Sequence, residues 1–168
     1  SYVAIDENNI DAILFAKTDL TLNGTGSLTI NAQDGHGVVS KDDLVIADGT
    51  YTVTAASTGF TGKGSLSIAG GTFTVTSGKD ALHAENTDDA TLGSLYIADG
   101  AFTLDAQGDG ISASGTLQID GGTFSVVTGG GSSTVTLTSS ESFGAGRPGE
   151  AQTQASSASP EGSDTAST

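Results

Sequence analysis

Two aspartates occupy the same position in neighbouring copies of a repeated sequence, where they could bind a metal ion together. Asp80 lies two residues before Leu82, and Asp109 lies two residues before Ile111. Stacked copies would place the two carboxylates about 5 Å apart, where like charges repel unless a cation or a proton intervenes. Such oxygen ligands suit Ca²⁺, and Asp105 is predicted on the same edge. The alternative is a pair of solvated turn aspartates, because Asp tolerates turns.

A second group of oxygen-bearing side chains lies in a segment that lengthens one copy of the repeat. Its members are Glu85, Asn86, Asp88 and Asp89. Their density resembles a metal-binding loop but lacks the spacing of an EF-hand. The segment is predicted on the corner that carries Asp42 and Asp43 two copies earlier, so these residues are also candidate Ca²⁺ ligands. The alternative is an exposed acidic loop.

Three lysines also recur at one offset of the repeat, with Glu85 next in the same row. They are Lys17, Lys41 and Lys63. Such a row could attract the carboxylates of uronate sugars, which makes Lys41 and Lys63 candidate carbohydrate-binding residues. The favoured interpretation is that these lysines form ion pairs with nearby acidic residues, namely Asp19, Asp42, Asp43 and Glu85. Lysines there would also oppose aggregation of the sheet.

Outward-pointing aromatic and histidine side chains are further candidates for binding sugars. Alternation predicts that Phe15 and Tyr96 face outward, whereas the other aromatic side chains of the repeats face the core. The outward row that contains His83 consists of Phe15, Val39, Thr61, His83 and Ser112. Tyr96 and His83 are therefore candidate carbohydrate-binding residues, although a lone exposed histidine is more often only a surface residue. With so few aromatic platforms, glycan binding would depend on hydrogen bonds and on carboxylates bridged by Ca²⁺.

The elements that must position these residues come from a repeat of about five copies. Leu44-Val-Ile-Ala-Asp-Gly-Thr-Tyr-Thr-Val53 returns with small changes at residues 66–75, 95–104 and 117–126, and a longer copy begins at Leu20. The leading leucines are 24, 22, 29 and 22 residues apart. A period of this size is typical of stacked structural repeats.

Each copy contains three short segments with period-two alternation, separated by corners rich in Gly and Asp. Such segments are typical of strands with one buried face, and their recurrence favours pairing with the same strand one coil away. The predicted fold is all-β: a single-stranded parallel β-helix, or solenoid, with about five coils of about 22 residues and three short strands in each coil. An internal aromatic ladder is predicted from Tyr51, Phe73, Phe102 and Phe124. Left-handed corner glycines are predicted at Gly49, Gly71, Gly100 and Gly122, with Gly26 as the match in the first copy.

Composition excludes several classes of function. The chain has 168 residues, a net charge of -15 and no cysteine, so it has neither disulfides nor thiolate metal ligands. Nucleic acid is a poor partner because phosphate binding requires clustered Lys and Arg. No apolar run approaches the roughly 20 residues of a membrane-spanning helix. We expect no membrane insertion, and cations are the natural counter-ions.

Composition also divides the chain into two regions. Residues 1–138 are predicted to form the β-helix domain, which lacks its N-terminal coils because the chain begins inside a repeat. Residues 139–168 are rich in Ser, Ala, Glu and Pro and have few aliphatic residues. Such a segment cannot bury enough apolar surface to fold, so it is predicted to be a disordered tail or linker.

Several motifs resemble those of a known family. Lys41-Asp-Asp-Leu44, Gly70-Gly-Thr-Phe-Thr74 and Gly108-Asp-Gly-Ile111 occur at solenoid spacing. Between about residues 11 and 131, the chain resembles the bacterial carbohydrate-binding β-helix family of clostridial and related secreted and surface proteins. The resemblance implies a right-handed parallel β-helix outside the cell or on its surface, which binds polysaccharide and carries Ca²⁺ on its acidic corners. Ser57-Thr58-Gly59-Phe60 replaces the usual acidic residues, which interrupts the acidic ladder.

Three classes of function are compatible with these features. The first is a non-catalytic, extracellular polysaccharide-binding domain with Ca²⁺, with acidic plant or cell-wall glycans as ligands and with linked modules as partners. The second is a structural or adhesive surface stalk. The third is a polysaccharide lyase or hydrolase, which the sequence disfavours because long cleft-forming loops are missing and the sole arginine, Arg147, lies in the predicted tail. The chain is therefore expected not to be an enzyme, and no catalytic residue is assigned.

Overall fold

The computed structural model of the protein describes residues 11–129. Within this range the chain forms fifteen strands and no helix. Three strands per coil and five coils give the parallel β-solenoid that the repeat predicts. Residues 1–10 and 130–138 of the predicted β-helix domain lie outside the described residues, as does the predicted disordered tail, 139–168.

The strands form three parallel sheets, and each coil contributes one strand to each sheet. Sheet A contains β1 (Ala12–Ala16), β4 (His36–Ser40), β7 (Phe60–Gly62), β10 (Leu82–Ala84) and β13 (Ile111–Ala113). Sheet B contains β2 (Leu20–Leu22), β5 (Asp43–Ile46), β8 (Ser65–Ile68), β11 (Ser94–Ile97) and β14 (Leu117–Ile119). Sheet C contains β3 (Ser27–Ala32), β6 (Thr50–Ala55), β9 (Thr72–Ser77), β12 (Ala101–Ala106) and β15 (Thr123–Thr128).

The register follows the repeated phrase residue by residue. In sheet B, Leu66 lies beside Leu44 on one side and Leu95 on the other, and Leu95 lies beside Leu117. The extra residues between β10 and β11 therefore leave the pairing of β11 with β8 unchanged, because they are accommodated entirely in the corner.

Alternation places one side of every strand in a narrow core. In β6, β9 and β12, buried and exposed residues alternate along the whole strand. The predicted aromatic ladder is confirmed, because Tyr51, Phe73, Phe102 and Phe124 stack with ring centroids 5.0, 4.8 and 4.7 Å apart. Phe60 of sheet A packs edge-on against both Tyr51 and Phe73.

Four of the five predicted corner glycines adopt the left-handed conformation. Gly49, Gly71, Gly100 and Gly122 have φ angles between 112 and 139°, which side chains with a Cβ rarely adopt. The assignment of Gly26 to this role is wrong. In the longer first copy, Gly24 has the positive φ, at 122°, because the extra residue moves the turn toward the N-terminus.

Most of the candidate functional residues lie on the outer face of sheet A and on the corners beside it. We call residues 34–35, 57–59, 79–81 and 108–110 the entry corner, since they precede sheet A strands. Residues 17–19, 41–42, 63–64 and 85–93 form the exit corner, since they follow sheet A strands. The entry corner continues the ladder of the sheet: the N–H groups of Gly37, Gly59 and Ala81 donate to the carbonyls of Thr58, Asp80 and Asp109, each at 3.0 Å.

Candidate functional site

A groove of about 390 Å³ runs over the outer face of sheet A, between the entry corner and the exit corner. The outward row predicted for this face is confirmed by the register. The row is less exposed than expected: Val39 is only 8% exposed and Thr61 only 4%. The groove is lined by Asp11, Phe15, His36, Val39, Lys41, Thr58, Thr61, Lys63, Lys79, Asp80, His83 and Glu85.

The floor of the groove combines apolar surface with one unsatisfied hydroxyl. Phe15 is half-buried and Val39 is buried, so Phe15 supplies the apolar surface that this part of the floor exposes. Thr61 lies beside Val39, and its buried Oγ1 has no hydrogen-bond partner in the described part of the chain. Buried polar atoms normally have a partner, so this hydroxyl is an exception beneath the groove.

His83 lies between two carboxylates, unlike the isolated surface histidine that the sequence also allowed. Its Nδ1 atom is 2.8 Å from Asp80 Oδ2, and its Nε2 atom is 3.4 Å from Glu85 Oε2. The Nδ1 contact is a close approach of opposite charges when the ring is protonated, but its angle is not that of an aligned hydrogen bond. His83 thus orients two of the three carboxylates in the groove.

His36 is a groove residue that sequence reasoning missed. The backbone N–H of Thr58 donates to His36 Nδ1 at 3.3 Å, so this nitrogen must be unprotonated to accept. The Nε2 atom lies 3.6 Å from Asp11 Oδ2. Burial lowers the pKa of His36, and the positive charges of Lys79 and Lys63 lower it further, whereas Asp11 raises it. The net direction is downward, which favours the neutral ring.

Lysines face the groove from both corners. On the exit corner, the N–H of Lys41 donates to the Ala16 carbonyl at 2.9 Å and the N–H of Lys63 to the Ser40 carbonyl at 3.1 Å, so the predicted lysine row is confirmed. The predicted ion pairs of this row are wrong. Between residues 11 and 129, no lysine has a carboxylate oxygen within 4.0 Å, because the nearby acidic groups turn toward histidine rings, backbone N–H groups and hydroxyls.

The structure confirms that Asp80 and Asp109 are neighbours on the entry corner. The backbone N–H of Asp109 donates to Asp80 Oδ1 at 2.8 Å, so this oxygen is already occupied. The placement of Asp105 on the same edge is wrong. Asp105 is exposed on β12, beside Thr76 and Val127 in sheet C, because the strand continues through Ala106 before the chain turns.

The oxygens of the inserted segment mainly stabilise its own turns. Asn86 Oδ1 accepts the N–H groups of Asp88 and Asp89 at 3.0 and 2.9 Å. Asp89 Oδ1 accepts the N–H and the hydroxyl of Thr91 at 2.9 and 2.6 Å, and these bonds lower the pKa of Asp89. Among the described residues, Glu85, Asp88 and Asp89 do not converge on one point as metal ligands would.

Carboxylates converge instead where the exit corner meets sheet B: Asp19 and Asp42 of the corner lie beside Asp43, the first residue of β5. One oxygen from each lies within 4.8 Å of the others. The hydroxyl of Ser65 donates to Asp43 Oδ1 at 2.8 Å, and Asp19 Oδ1 accepts the N–H of Asp43 at 3.3 Å. The sequence contains the signal for Asp19, because Leu20 pairs with Leu44 and the preceding residues must therefore stack. An all-oxygen cluster of this kind fits Ca²⁺ in donor type.

Tyr96 faces outward as predicted, but it lies on sheet B rather than in the groove. The ring stands between Ser67 and Gln118 of the neighbouring strands. Its hydroxyl donates to Asp120 Oδ2 at 2.8 Å, and Gln118 Nε2 donates to Asp120 Oδ1 at 2.9 Å. These bonds lower the pKa of Asp120 and raise that of Tyr96. Tyr96 is therefore separated from the other candidate sugar-binding residues, Lys41, Lys63 and His83.

Comparison with known proteins defines the family. A family model described as carbohydrate-binding domain-containing protein matches residues 1–168. The chain belongs to this carbohydrate-binding domain-containing family. A member from Acetivibrio thermocellus is 37% identical over 49 residues, which are 29% of this chain and 17% of the relative.

A solved structure is similar to this chain in fold. The structure of the polysaccharide lyase-like protein from C. thermocellum, a gadolinium derivative, superposes with a TM-score of 0.56 at 25% identity. The match covers 74% of this chain and 60% of that one. The chain therefore spans less than two thirds of either relative. The described residues of this family member contain no helix long and apolar enough to cross a membrane.

Proposed function

We propose that this chain is a non-catalytic module that binds polysaccharide in the sheet A groove. The observation that carries the proposal is the concentration of groups able to contact sugars in this groove. Three of the chain's four lysines and both of its histidines line it, although the net charge of the chain is -15. Membership of a carbohydrate-binding family supports the same conclusion.

The groove chemistry favours acidic glycans, such as those of plant or microbial cell walls. The ammonium groups of Lys41, Lys63 and Lys79 have no carboxylate partner within the described residues, so they are free to meet uronate carboxylates. Asp80 and Glu85 line the groove and can contact sugar hydroxyls. The partly exposed ring of Phe15 gives the ligand an apolar surface to lie against.

Binding without catalysis is supported by the way the groove's acid and base groups are already engaged. Asp80 accepts the N–H of Asp109 and faces His83, which also faces Glu85. The Nδ1 lone pair of His36, a potential base, accepts the N–H of Thr58. The lyase-like neighbour makes elimination the second candidate. The appearance of unsaturated uronates, followed by ultraviolet absorbance during incubation with polygalacturonate, would favour that candidate.

We further propose that Asp19, Asp42 and Asp43 hold Ca²⁺ at the exit corner. The convergence of one oxygen from each carboxylate within 4.8 Å supports this assignment. A cation there would offset the repulsion among three carboxylates and would stabilise the corner next to Lys41.

Acidic cell-wall polysaccharides lie outside cells. We therefore propose that the module lies outside the cell or on its surface and is linked to further modules.

Affinity electrophoresis through gels that contain polygalacturonate, xylan or cellulose tests the binding proposal. We expect polygalacturonate to retard the wild-type protein. The double substitution Lys41→Gln and Lys63→Gln should weaken this binding about 25-fold, since each substitution removes one charge contact that contributes about fivefold. Lys17→Gln is the matched control, because Lys17 belongs to the same row but does not line the groove.

Two results would contradict the proposal. One is the absence of retardation by every polysaccharide. The other is equal weakening by the double substitution and by Lys17→Gln, which would place the binding surface elsewhere. Tyr96→Ala provides a separate measure of the sheet B face. Strong weakening by this substitution alone would move the site to Tyr96.

A further inference from the structure

Lys79 approaches the groove from the side opposite to Lys41 and Lys63. It is exposed on the entry corner, where its N–H donates to the Ser57 carbonyl and its carbonyl accepts the N–H of Gly108, each at 3.2 Å. Its offset in the repeat differs from that of the lysine row, so sequence alignment of the copies does not group it with Lys41 and Lys63. The fold brings the three together around one groove.

The fields of lysines on opposite corners overlap inside the groove. Lys79 on the entry corner and Lys63 on the exit corner both act on the imidazole of His36, and both lower its pKa. A ligand carboxylate near this point would be attracted by both ammonium groups. The lysine row alone would contact a ligand only from the exit corner. With Lys79, the groove can contact the ligand from both corners.

The carboxylates of the groove do not neutralise these lysines by direct pairing. Asp11 lies against His36, and Asp80 and Glu85 lie against His83. In the described part of the chain, Lys79 has no carboxylate oxygen within 4.0 Å. Its ammonium group is consequently available to an external anion.

We propose that Lys79 determines the selectivity of the groove for anionic over neutral glycans, by completing a two-sided ammonium clamp with Lys41 and Lys63. This inference rests on the proposed function of the groove. It further specifies a glycan with carboxylates along both of its edges, so that one edge of the glycan meets the entry corner and the other meets the exit corner.

The test compares two ligands with the same sugar backbone, one anionic and one neutral: polygalacturonate and its fully methyl-esterified form. Affinities of the wild type, Lys79→Gln and Lys17→Gln are measured at two salt concentrations, in the presence of a chelator that prevents bridging by Ca²⁺. Lys79→Gln should lower the affinity for polygalacturonate about fivefold, which is the effect of one charge contact near 4 Å in water. It should leave the affinity for the ester unchanged and reduce the salt dependence.

Lys79→Arg should restore selectivity, because the guanidinium retains the positive charge, and Lys17→Gln should change neither affinity. Equal losses for both ligands in Lys79→Gln would overturn the inference, because they would show a packing role without selectivity. Unchanged affinity for polygalacturonate would also overturn it. If the wild type binds neither ligand, the preference for acidic glycans in the proposed function fails, and the inference fails with it. Thermal melting checks that the variants fold, as expected for an exposed side chain.

Discussion

Replacing Phe73 by alanine should destabilise the solenoid more than any similar change at the end of the aromatic ladder. Phe73 is fully buried and stacks between Tyr51 at 5.0 Å and Phe102 at 4.8 Å, with Phe60 edge-on at 5.8 Å. Truncation of a buried phenylalanine costs about 3–5 kcal/mol through lost burial and the cavity that remains. We expect Phe73→Ala to reach the upper part of this range, since stacked rungs on both sides prevent the cavity from collapsing.

Phe124 provides the matched control within the same ladder. It is half-buried and stacks on Phe102 alone among the described rings, at 4.7 Å. Phe124→Ala should therefore cost about 2 kcal/mol, below the range for a buried ring. Phe73→Leu keeps an apolar side chain but loses both stacked pairs, so its cost should be about 1–2 kcal/mol.

Urea unfolding followed by far-ultraviolet circular dichroism measures these differences, because the chain lacks tryptophan as a fluorescent probe. The free energy of unfolding is compared at constant m-value. If Phe73→Ala cost no more than Phe124→Ala, the argument that burial between two rungs governs the ladder would be refuted. A changed m-value would instead show that the coils unfold separately.

Two further predictions concern charge. Millimolar Ca²⁺ should raise the melting temperature relative to EDTA, because a ligand bound to the native state stabilises it. Asp42→Asn should abolish this increase, whereas Asp88→Asn, which alters an exposed carboxylate outside the triad, should not. If the wild type showed no increase, Ca²⁺ binding by Asp19, Asp42 and Asp43 would be excluded. The pKa of His36 is lowered from 6.5 in the folded state, so the unfolded chain takes up this proton first and stability falls as the pH drops below about 6.5. His36→Gln should lose less stability than the wild type between pH 8 and pH 5 in urea titrations, and an identical loss would contradict this reasoning.

The sequence predicts the repeated parts of this molecule accurately because their positions are set by stacking. Once Leu44, Leu66, Leu95 and Leu117 are aligned, parallel pairing places every equivalent side chain one rung apart. The same rule yields the aromatic ladder, the lysine row and the proximity of Asp80 to Asp109.

Contacts between different corners are not predictable in this way, because they depend on the width and path of the turns. Lys79 and Lys63 occupy different offsets, yet they flank one groove. The lysine ion pairs were wrong because local turns and histidines take up the acidic groups first. Asp105 was misplaced because alternation does not show where a strand ends and its corner begins.

The corner insertion between β10 and β11 has a consequence for how such proteins diversify. Ser94 still lies beside Ser65, and Tyr96 beside Ser67, after a detour that adds residues to one coil. Loops at the exit corner can therefore change in length and sequence without a cost to the register of the sheets. Because this corner borders the groove, new binding loops could be grafted there while the core sequence remains constant.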